Sequence, residues 1–403
     1  MVRDEELQRM HARLASAEQG FLRDLERLVN VDCGSYTKAG VDEVGRWVGG
    51  RLAELGAEVR VEANEELGDT VVGTWEGPAD GPRVLLIGHM DTVFGEGTVA
   101  ERPFSMRDGR AYGPGVTDMK SGLLAGLYAL WALRKGGEWP FGRLVFVANP
   151  DEEIGSPASG AVIRREAESS DVALVLECAR ANGDIVSARK GVADLLLRLR
   201  GRAAHAGVEP EKGRSAVLEA AHKTIALHAL NGRWPGVTVN VGVLRGGTRP
   251  NVVAESAELE VDLRATNRAA MEEAEAEVRR ICATLTVPDV SCEIEERARH
   301  WPMEKSDAAA RLVEQAVDIA GRLGFELKDA ATGGASDANT TAGMGVPTLD
   351  GLGPVGGLDH SPGEYLELDS IVPRTALLGG LLLAVGRGGQ VGRRAASGSH
   401  DST

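Results

Sequence analysis

Five side chains with acid–base or metal-binding chemistry stand just where three short apolar runs end. His89 closes Arg83-Val84-Leu85-Leu86-Ile87-Gly88-His89, and Asp91 follows two residues later. Glu152 and Glu153 come after Arg143-Leu144-Val145-Phe146-Val147-Ala148, beyond Asn149-Pro150-Asp151, and Glu177 closes Val172-Ala173-Leu174-Val175-Leu176-Glu177. Two further candidates lie in glycine-rich segments. Asp118 sits in Gly113-Pro114-Gly115-Val116-Thr117-Asp118-Met119-Lys120, and His360 in Gly356-Gly357-Leu358-Asp359-His360-Ser361-Pro362-Gly363. Carboxylates sharing one crevice raise each other's pKa. Divalent cations remove that penalty, and two imidazoles with three or four carboxylates form a mixed N/O donor set that suits Zn²⁺, and also Co²⁺ or Mn²⁺. One carboxylate bridging two such ions leaves an open position for a shared water, whose pKa falls beside a polarised carbonyl.

The elements carrying these residues explain why they converge. The three runs are short and apolar throughout, as strands buried on both faces are. An Ala/Leu-rich helix over 120–135, stopped by Gly136-Gly137, separates the first two. Strand–helix–strand alternation predicts an α/β domain with a mixed, mainly parallel sheet flanked by helices. In such sheets ligands bind outside the carboxyl ends of the strands, where His89, Asp91, Glu152, Glu153 and Glu177 stand. Upstream, apolar spacing predicts helices over 5–30 and 41–55 and strands over 58–62 and 70–75.

The pattern changes near Gly191. Strands over 193–200, 237–244, 257–264 and 290–296, with helices over 215–230 and 268–285, form a β-α-β-β-α-β run, an α+β sandwich inserted in the chain. The expected organisation is therefore a first catalytic part over 1–190, an inserted unit over 191–300, and a second catalytic part over 301–386 that ends in an apolar helix over 372–385. The Gly-, Arg- and Ser-rich tail over 387–403 reads as disordered.

The motifs resemble one group. Gly88-His89-Met90-Asp91-Thr92-Val93, Tyr112-Gly113-Pro114-Gly115-Val116-Thr117-Asp118-Met119-Lys120-Ser121-Gly122 and Asp151-Glu152-Glu153-Ile154-Gly155-Ser156 look like the signatures of the dinuclear-zinc family of glutamate carboxypeptidase, acetylornithine deacetylase, succinyl-diaminopimelate desuccinylase and aminoacylase. Ala204-His205-Ala206-Gly207 and Asp359-His360-Ser361 are similar to two further motifs, so the resemblance runs from about Leu22 to Val385. It implies two Zn²⁺ per subunit: His89 and Glu177 on one ion, Glu153 and His360 on the other, and Asp118 bridging. Asp91 would hold the tautomer of His89, and Glu152 would be the general base. It also implies a cis peptide at Asp118–Met119, and an inserted lid domain that dimerises and lends His205 to the partner as an oxyanion stabiliser. Asn251 and Arg264 resemble substrate-carboxylate contacts, and Thr332-Gly333-Gly334-Ala335-Ser336-Asp337 resembles a loop near that carboxylate.

Paired glutamates followed by Ile154-Gly155-Ser156, and Phe94 after Val93, lie nearer the glutamate carboxypeptidases. The leading reading is hydrolysis of an amide beside a carboxylate-bearing amino acid. The second is an N-acyl amino acid deacylase of the acetylornithine deacetylase or aminoacylase type; a non-catalytic metal-binding dimer is the third. A lone His is more often structural, which covers His222, His228 and His300.

Bulk properties narrow the field. A formal net charge of −15 repels phosphate backbones and argues against nucleic-acid binding. The reading places no membrane-crossing segment, because no apolar run is seen to approach roughly 20 residues. The charged start Met1-Val2-Arg3-Asp4-Glu5-Glu6 points to the cytoplasm. Cys33, Cys178, Cys282 and Cys292 form no CxxC pair and read as reduced thiols.

Overall fold

The computed structural model describes residues 2–388. In chain order the first elements are α1 (Asp4–Val29), α2 (Lys38–Glu54), β1 (Glu58–Glu62), β2 (Thr70–Glu76), β3 (Arg83–His89), α3 (Thr98–Glu101), β4 (Ser105–Arg107) and β5 (Arg110–Tyr112). Then come α4 (Ser121–Gly136), β6 (Arg143–Asn149), α5 (Gly160–Glu168), β7 (Val172–Val175) and β8 (Ile185–Arg189). The middle of the chain gives β9 (Gly191–Arg200), α6 (Ala216–His228), β10 (Thr238–Gly246), β11 (Ser256–Ala265), α7 (Arg268–Ala283) and β12 (Ser291–His300). The last elements are α8 (Asp307–Leu323), β13 (Asp329–Thr332), α9 (Asp337–Gly343), β14 (Thr348–Leu349), β15 (Gly356–Gly357), β16 (Tyr365–Glu367) and α10 (Ile371–Gly386).

The chain divides into two compact units. The first takes in the described residues through Ser187, Lys305–Ala331 and those from Ser336 onward. Its main sheet runs β1-β2-β6-β3-β7-β14. β3 pairs in parallel with β6 and β7, and β7 with β14, whereas β2 and β1 join antiparallel. The apolar runs are the reason: Val84, Leu85, Leu86 and Ile87 are all fully or almost fully buried, as are Leu144, Val145, Phe146 and Val147. Helices α1, α4, α8 and α10 pack on one another, while α2, α5 and α9 meet β2, β3 and β7. A second small sheet, β15-β16-β5-β4, lies in the same unit.

The second unit comprises Ala188–Glu304 and Thr332–Ala335. Its antiparallel sheet runs β10-β11-β9-β12. Along β11 the odd positions Ala257, Leu259, Val261, Leu263 and Ala265 are buried and the even ones half-exposed, the period-2 pattern of a sheet covered on one face. α6 and α7 supply the cover with Ala216, Ala220, Leu227, Met271, Ala274 and Val278.

Three expectations need correction. Thr332–Ala335 joins the second unit, because Arg264 Nη1 donates to the Gly333 carbonyl (2.8 Å) and Arg189 Nη1 to that of Gly334 (3.1 Å). Arg387 is no part of a loose tail: it ends α10 and holds the buried Glu6 carboxylate at 2.8 and 3.0 Å. The rest of the tail expected to be disordered, from 389 on, lies outside the described residues. Finally, Leu368–Gly386 is long and apolar enough by composition to cross a bilayer, yet 67% of its apolar 18-residue window is buried inside the protein. It is a core helix, and its fully sequestered Arg374 donates to the carbonyls of Gly183, Gly351 and Gly353.

Candidate metal centre

All seven residues expected at a metal site belong to the first unit. Most of them sit at or just beyond element ends. His89 is the last residue of β3, and Glu177 lies two past β7. Glu152 and Glu153 open a short turn after β6, Asp118 sits in an irregular turn that feeds α4, and His360 lies between β15 and β16.

The side chains meet. His89 Nε2 is 3.0 Å from Asp118 Oδ1 and 3.7 Å from Glu177 Oε1. The other Asp118 oxygen, Oδ2, is 3.1 Å from His360 Nε2, which is itself 3.1 Å from Glu153 Oε2. One carboxylate thus faces two imidazoles, one per oxygen. Donor atoms of His89, Glu152 and Glu177 lie within 4.8 Å of one another, and so do those of His89, Asp118 and Glu153. Such a set of N and O donors converging from five directions suits two cations with a shared carboxylate. The peptide Asp118–Met119 is cis.

The electrostatics fit a site built around positive charge. Burial pushes the Glu177 carboxyl up to about 8. Burial and the Glu177 charge together push Glu152 well above its ordinary range, and burial also raises Glu153. Hydrogen bonds to Asp118 and Glu153 raise His360 to about 11. Burial alone would raise Asp118, but the imidazoles of His360 and His89 outweigh it and hold this carboxyl low. Without cations the acids compete for protons, and the imidazoles serve as their counterions.

Behind the donors lies a second layer. The Asp91 carboxylate, fully buried, accepts from the amides of Glu152 and Glu153 (3.2 Å each) and from Ser35 Oγ (2.7 Å). His89 Nδ1 lies 3.0 Å from the backbone carbonyl of Asp91 and 3.3 Å from its carboxylate. The main chain and the side chain of Asp91 both therefore face this nitrogen. Asp151 holds the turn through Ala158 N and both Ser159 donors. Asp337, pushed up to about 6 by burial, accepts from Ser156 Oγ (2.6 Å) and Asn149 Nδ2 (2.8 Å). Glu364 accepts from the amides of Gly115, Thr117 and Asp118. Sequence reading gave no individual role to Ser35, Asn149, Asp151, Ser156 or Glu364, and placed Asp337 only in a loop likened to one near the substrate carboxylate. Asp151 and Ser156 stood inside the Asp151–Ser156 motif, Asp337 in that loop and Glu364 four residues after His360, whereas Ser35 lies in none of the motifs.

The remaining three candidates belong to the second unit. His205 is exposed, and its Nδ1 accepts from the Gly207 amide at 3.2 Å, which leaves the ring proton on Nε2 as a donor. Asn251 is exposed, and its backbone carbonyl accepts from Ala206 N (3.0 Å) beside an isolated antiparallel bridge between His205 and Val252, so Asn251 and His205 lie on adjoining turns. Arg264 is engaged: its Nε and Nη2 bind the Asp262 carboxylate at 3.0–3.1 Å and its Nη1 the Gly333 carbonyl.

Residues 85–384 match the profile of peptidase family M20/M25/M40. The chain belongs to that family. It is 29% identical over 375 residues to carboxypeptidase G2 of Pseudomonas sp. (strain RS-16), covering 91% of this chain and 89% of that protein. It is 27% identical over 319 residues to a succinyl-diaminopimelate desuccinylase of Dechloromonas aromatica, covering 73% and 81%. Among solved structures, aminopeptidase PepT of Bacillus cereus superposes with a TM-score of 0.76 at 25% identity, over 91% of this chain and 98% of that one. The M20 metallo-carboxypeptidase Sso-CP2 of Sulfolobus solfataricus has the same fold, with a TM-score of 0.71 at 16% identity over 91% and 99%. As an M20/M25/M40 member the protein is a metal-dependent hydrolase of the peptidase and amidohydrolase kind, acting on small peptide or amino-acid substrates.

Proposed function

We propose that the protein is a glutamate carboxypeptidase-like amidohydrolase that cleaves an amide beside a carboxylate-bearing amino acid, using two Zn²⁺ ions. His89 and Glu177 would hold one ion, Glu153 and His360 the other, with Asp118 shared. The observation that carries this reading is the Asp118 carboxylate, which presents one oxygen to each of two imidazoles at 3.0 and 3.1 Å. The ions would polarise the scissile carbonyl and acidify an attacking water.

Glu152 is the candidate general base. Its donor atom lies with those of His89 and Glu177, and its raised affinity for protons suits taking one from water and returning it to the leaving nitrogen. Asp91 fixes both the His89 ring and the Glu152–Glu153 backbone. We assign Asn251 and Arg264 to the substrate carboxylate. For Arg264 this requires Asp262 to release the guanidinium, so Arg264→Ala should raise the Michaelis constant more than it lowers turnover.

We also infer a homodimer through the second unit. β10 is an edge strand there, and α6 exposes Leu218 and Ile225 two turns apart, an apolar stripe suited to a second copy. In that assembly His205, with its proton on Nε2, would stabilise the partner's oxyanion. Four free thiols support a cytoplasmic location.

The likeness to the desuccinylase supports the second reading, an N-acyl amino acid deacylase. The test is release of amino acid from aryl and peptidyl glutamates beside N-acetyl amino acids, for wild type and Glu152→Ala, with and without Zn²⁺. Preferential glutamate release that depends on zinc and on Glu152 supports the carboxypeptidase reading; preferential cleavage of N-acetyl substrates replaces it with the deacylase.

A further inference from the structure

Asp118 carries the metal reading, yet nothing in its own segment explains why its carboxylate stands between two imidazoles. The turn 113–118 has Gly113 and Gly115 at positive φ, and a backbone so bent points several amides inward rather than into a helix. Three of those amides converge on one side chain. Gly115 N donates to Glu364 Oε2 at 2.9 Å, and Thr117 N and Asp118 N donate to Oε1 at 2.9 and 3.0 Å. Glu364 is 1% exposed, so its oxygens are met by these amides rather than by water.

The topology makes this contact a bridge between two loops. β5 and β16 pair antiparallel, with Tyr112 opposite Tyr365. The segment leaving β5 carries Asp118, and the segment entering β16 carries His360 and Glu364, so both start from the same end of one short ladder. Glu364 therefore ties the backbone of one donor to the loop that carries another.

We propose that Glu364 is a positioning residue for the dinuclear site: it sets the Asp118 carboxylate against His360, so that the two arrive as one preformed pair. This rests on the reading of Asp118 as the shared ligand. A carboxylate is the side chain the task demands, because it offers two acceptor oxygens and no donor. Glutamine can accept from Thr117 and Asp118 on its one oxygen, but its NH₂ group then opposes the Gly115 N–H. A side chain that merely closed a turn could lose that contact without consequence for cations.

The test uses the full-length protein stripped of metal and titrated with Zn²⁺ alone against a chromophoric chelator, alongside thermal melting of the metal-free form. Wild type, Glu364→Gln and Glu364→Ala are compared. The expected result is two equivalents of zinc in wild type, and at least a tenfold loss of affinity for one of them in both variants, larger in Glu364→Ala. The metal-free Glu364→Gln protein should still melt cooperatively near wild type. Unchanged zinc affinities in a folded Glu364→Gln overturn the proposal while leaving the dinuclear reading intact. A Glu364→Gln protein that no longer melts cooperatively also overturns it, because the residue would then hold the fold and not the site. Fewer than two equivalents in wild type overturns the dinuclear reading itself, and the positioning role with it.

Discussion

Replacing Asp91 by asparagine probes the layer behind the donors with little change of shape. The carboxylate accepts from Glu152 N, Glu153 N and Ser35 Oγ, and its Oδ1 lies 3.3 Å from His89 Nδ1. Asparagine keeps one acceptor oxygen and turns an NH₂ toward groups that donate. The His89 tautomer survives, because the Asp91 backbone carbonyl, at 3.0 Å from Nδ1, is untouched. What is lost is the negative charge behind the ring and one or two amide contacts. A hydrogen bond to a charged group contributes about 1.5–3 kcal/mol, and the surviving carbonyl places the loss near the lower end, roughly 1.5–2 kcal/mol. At about 1.4 kcal/mol per factor of ten, zinc affinity should fall roughly ten- to thirtyfold. Asp91→Ala, which strands two backbone amides and a hydroxyl, should cost more than a hundredfold. Chelator competition gives the affinities, and kcat/KM for the best substrate should fall in parallel. Asp91→Asn with affinity and kcat/KM within twofold of wild type would refute the reasoning.

Four further outcomes are expected. Glu152→Gln should retain zinc and lose on the order of 10²–10⁴ in kcat, checked by metal analysis beside steady-state kinetics. The metal-free protein should weaken as pH rises, for two groups of the same sign. Glu177, at about 8 when folded against about 4.3 unfolded, opposes folding progressively between those values, and the stabilisation from protonated His360 is present below about 6.5 and lost toward about 11. Urea midpoints at pH 6 and 9 should differ with chelator present and converge with excess Zn²⁺. Glu6, held well below the usual carboxylate range chiefly by Arg387 and then by Arg3, stabilises above about pH 4.3 and stops doing so in acid. Glu6→Gln should therefore cost about 2 kcal/mol at pH 7, less than a sealed ion pair because both guanidiniums reach water, and the gap should close in strong acid. Gly122→Ala would set a Cβ 1.9 Å from the Leu176 carbonyl, next to Glu177, and should destabilise by about 1–3 kcal/mol in thermal melts.

Legibility in the sequence followed the length of each signal. β3, β6 and the six elements from β9 to β12 fall within a few residues of the spans read from periodicity, since each is long enough to repeat its pattern several times. β7 ends at Val175, two residues before the predicted end, so Glu177 stands on the chain leaving the strand. β4, β14, β15 and β16 are two or three residues long, below the reach of any period, and went unread. The donors were legible because each follows a strong strand or lies in a glycine-rich motif. The roles of Ser35, Asp337 and Glu364 were not, because a buried polar contact is defined by the partners that meet it, and those come from positions up to 249 residues away.

The order of the strands also bears on how the chain is made. β7 is an interior strand only because β14 pairs beside it, Ala173 against Thr348. The whole second-unit sheet is synthesised between the two. At ~5–20 residues per second, a ribosome leaves the outer edge of β7 without its neighbour for on the order of ten to thirty-five seconds. During that interval its free N–H and C=O groups are a template for any other extended segment. The acids at the mouth of the sheet meanwhile wait for His360. A transcript cut short before Thr348 therefore yields a sticky, self-repelling fragment, and chaperone demand during expression should peak in that window.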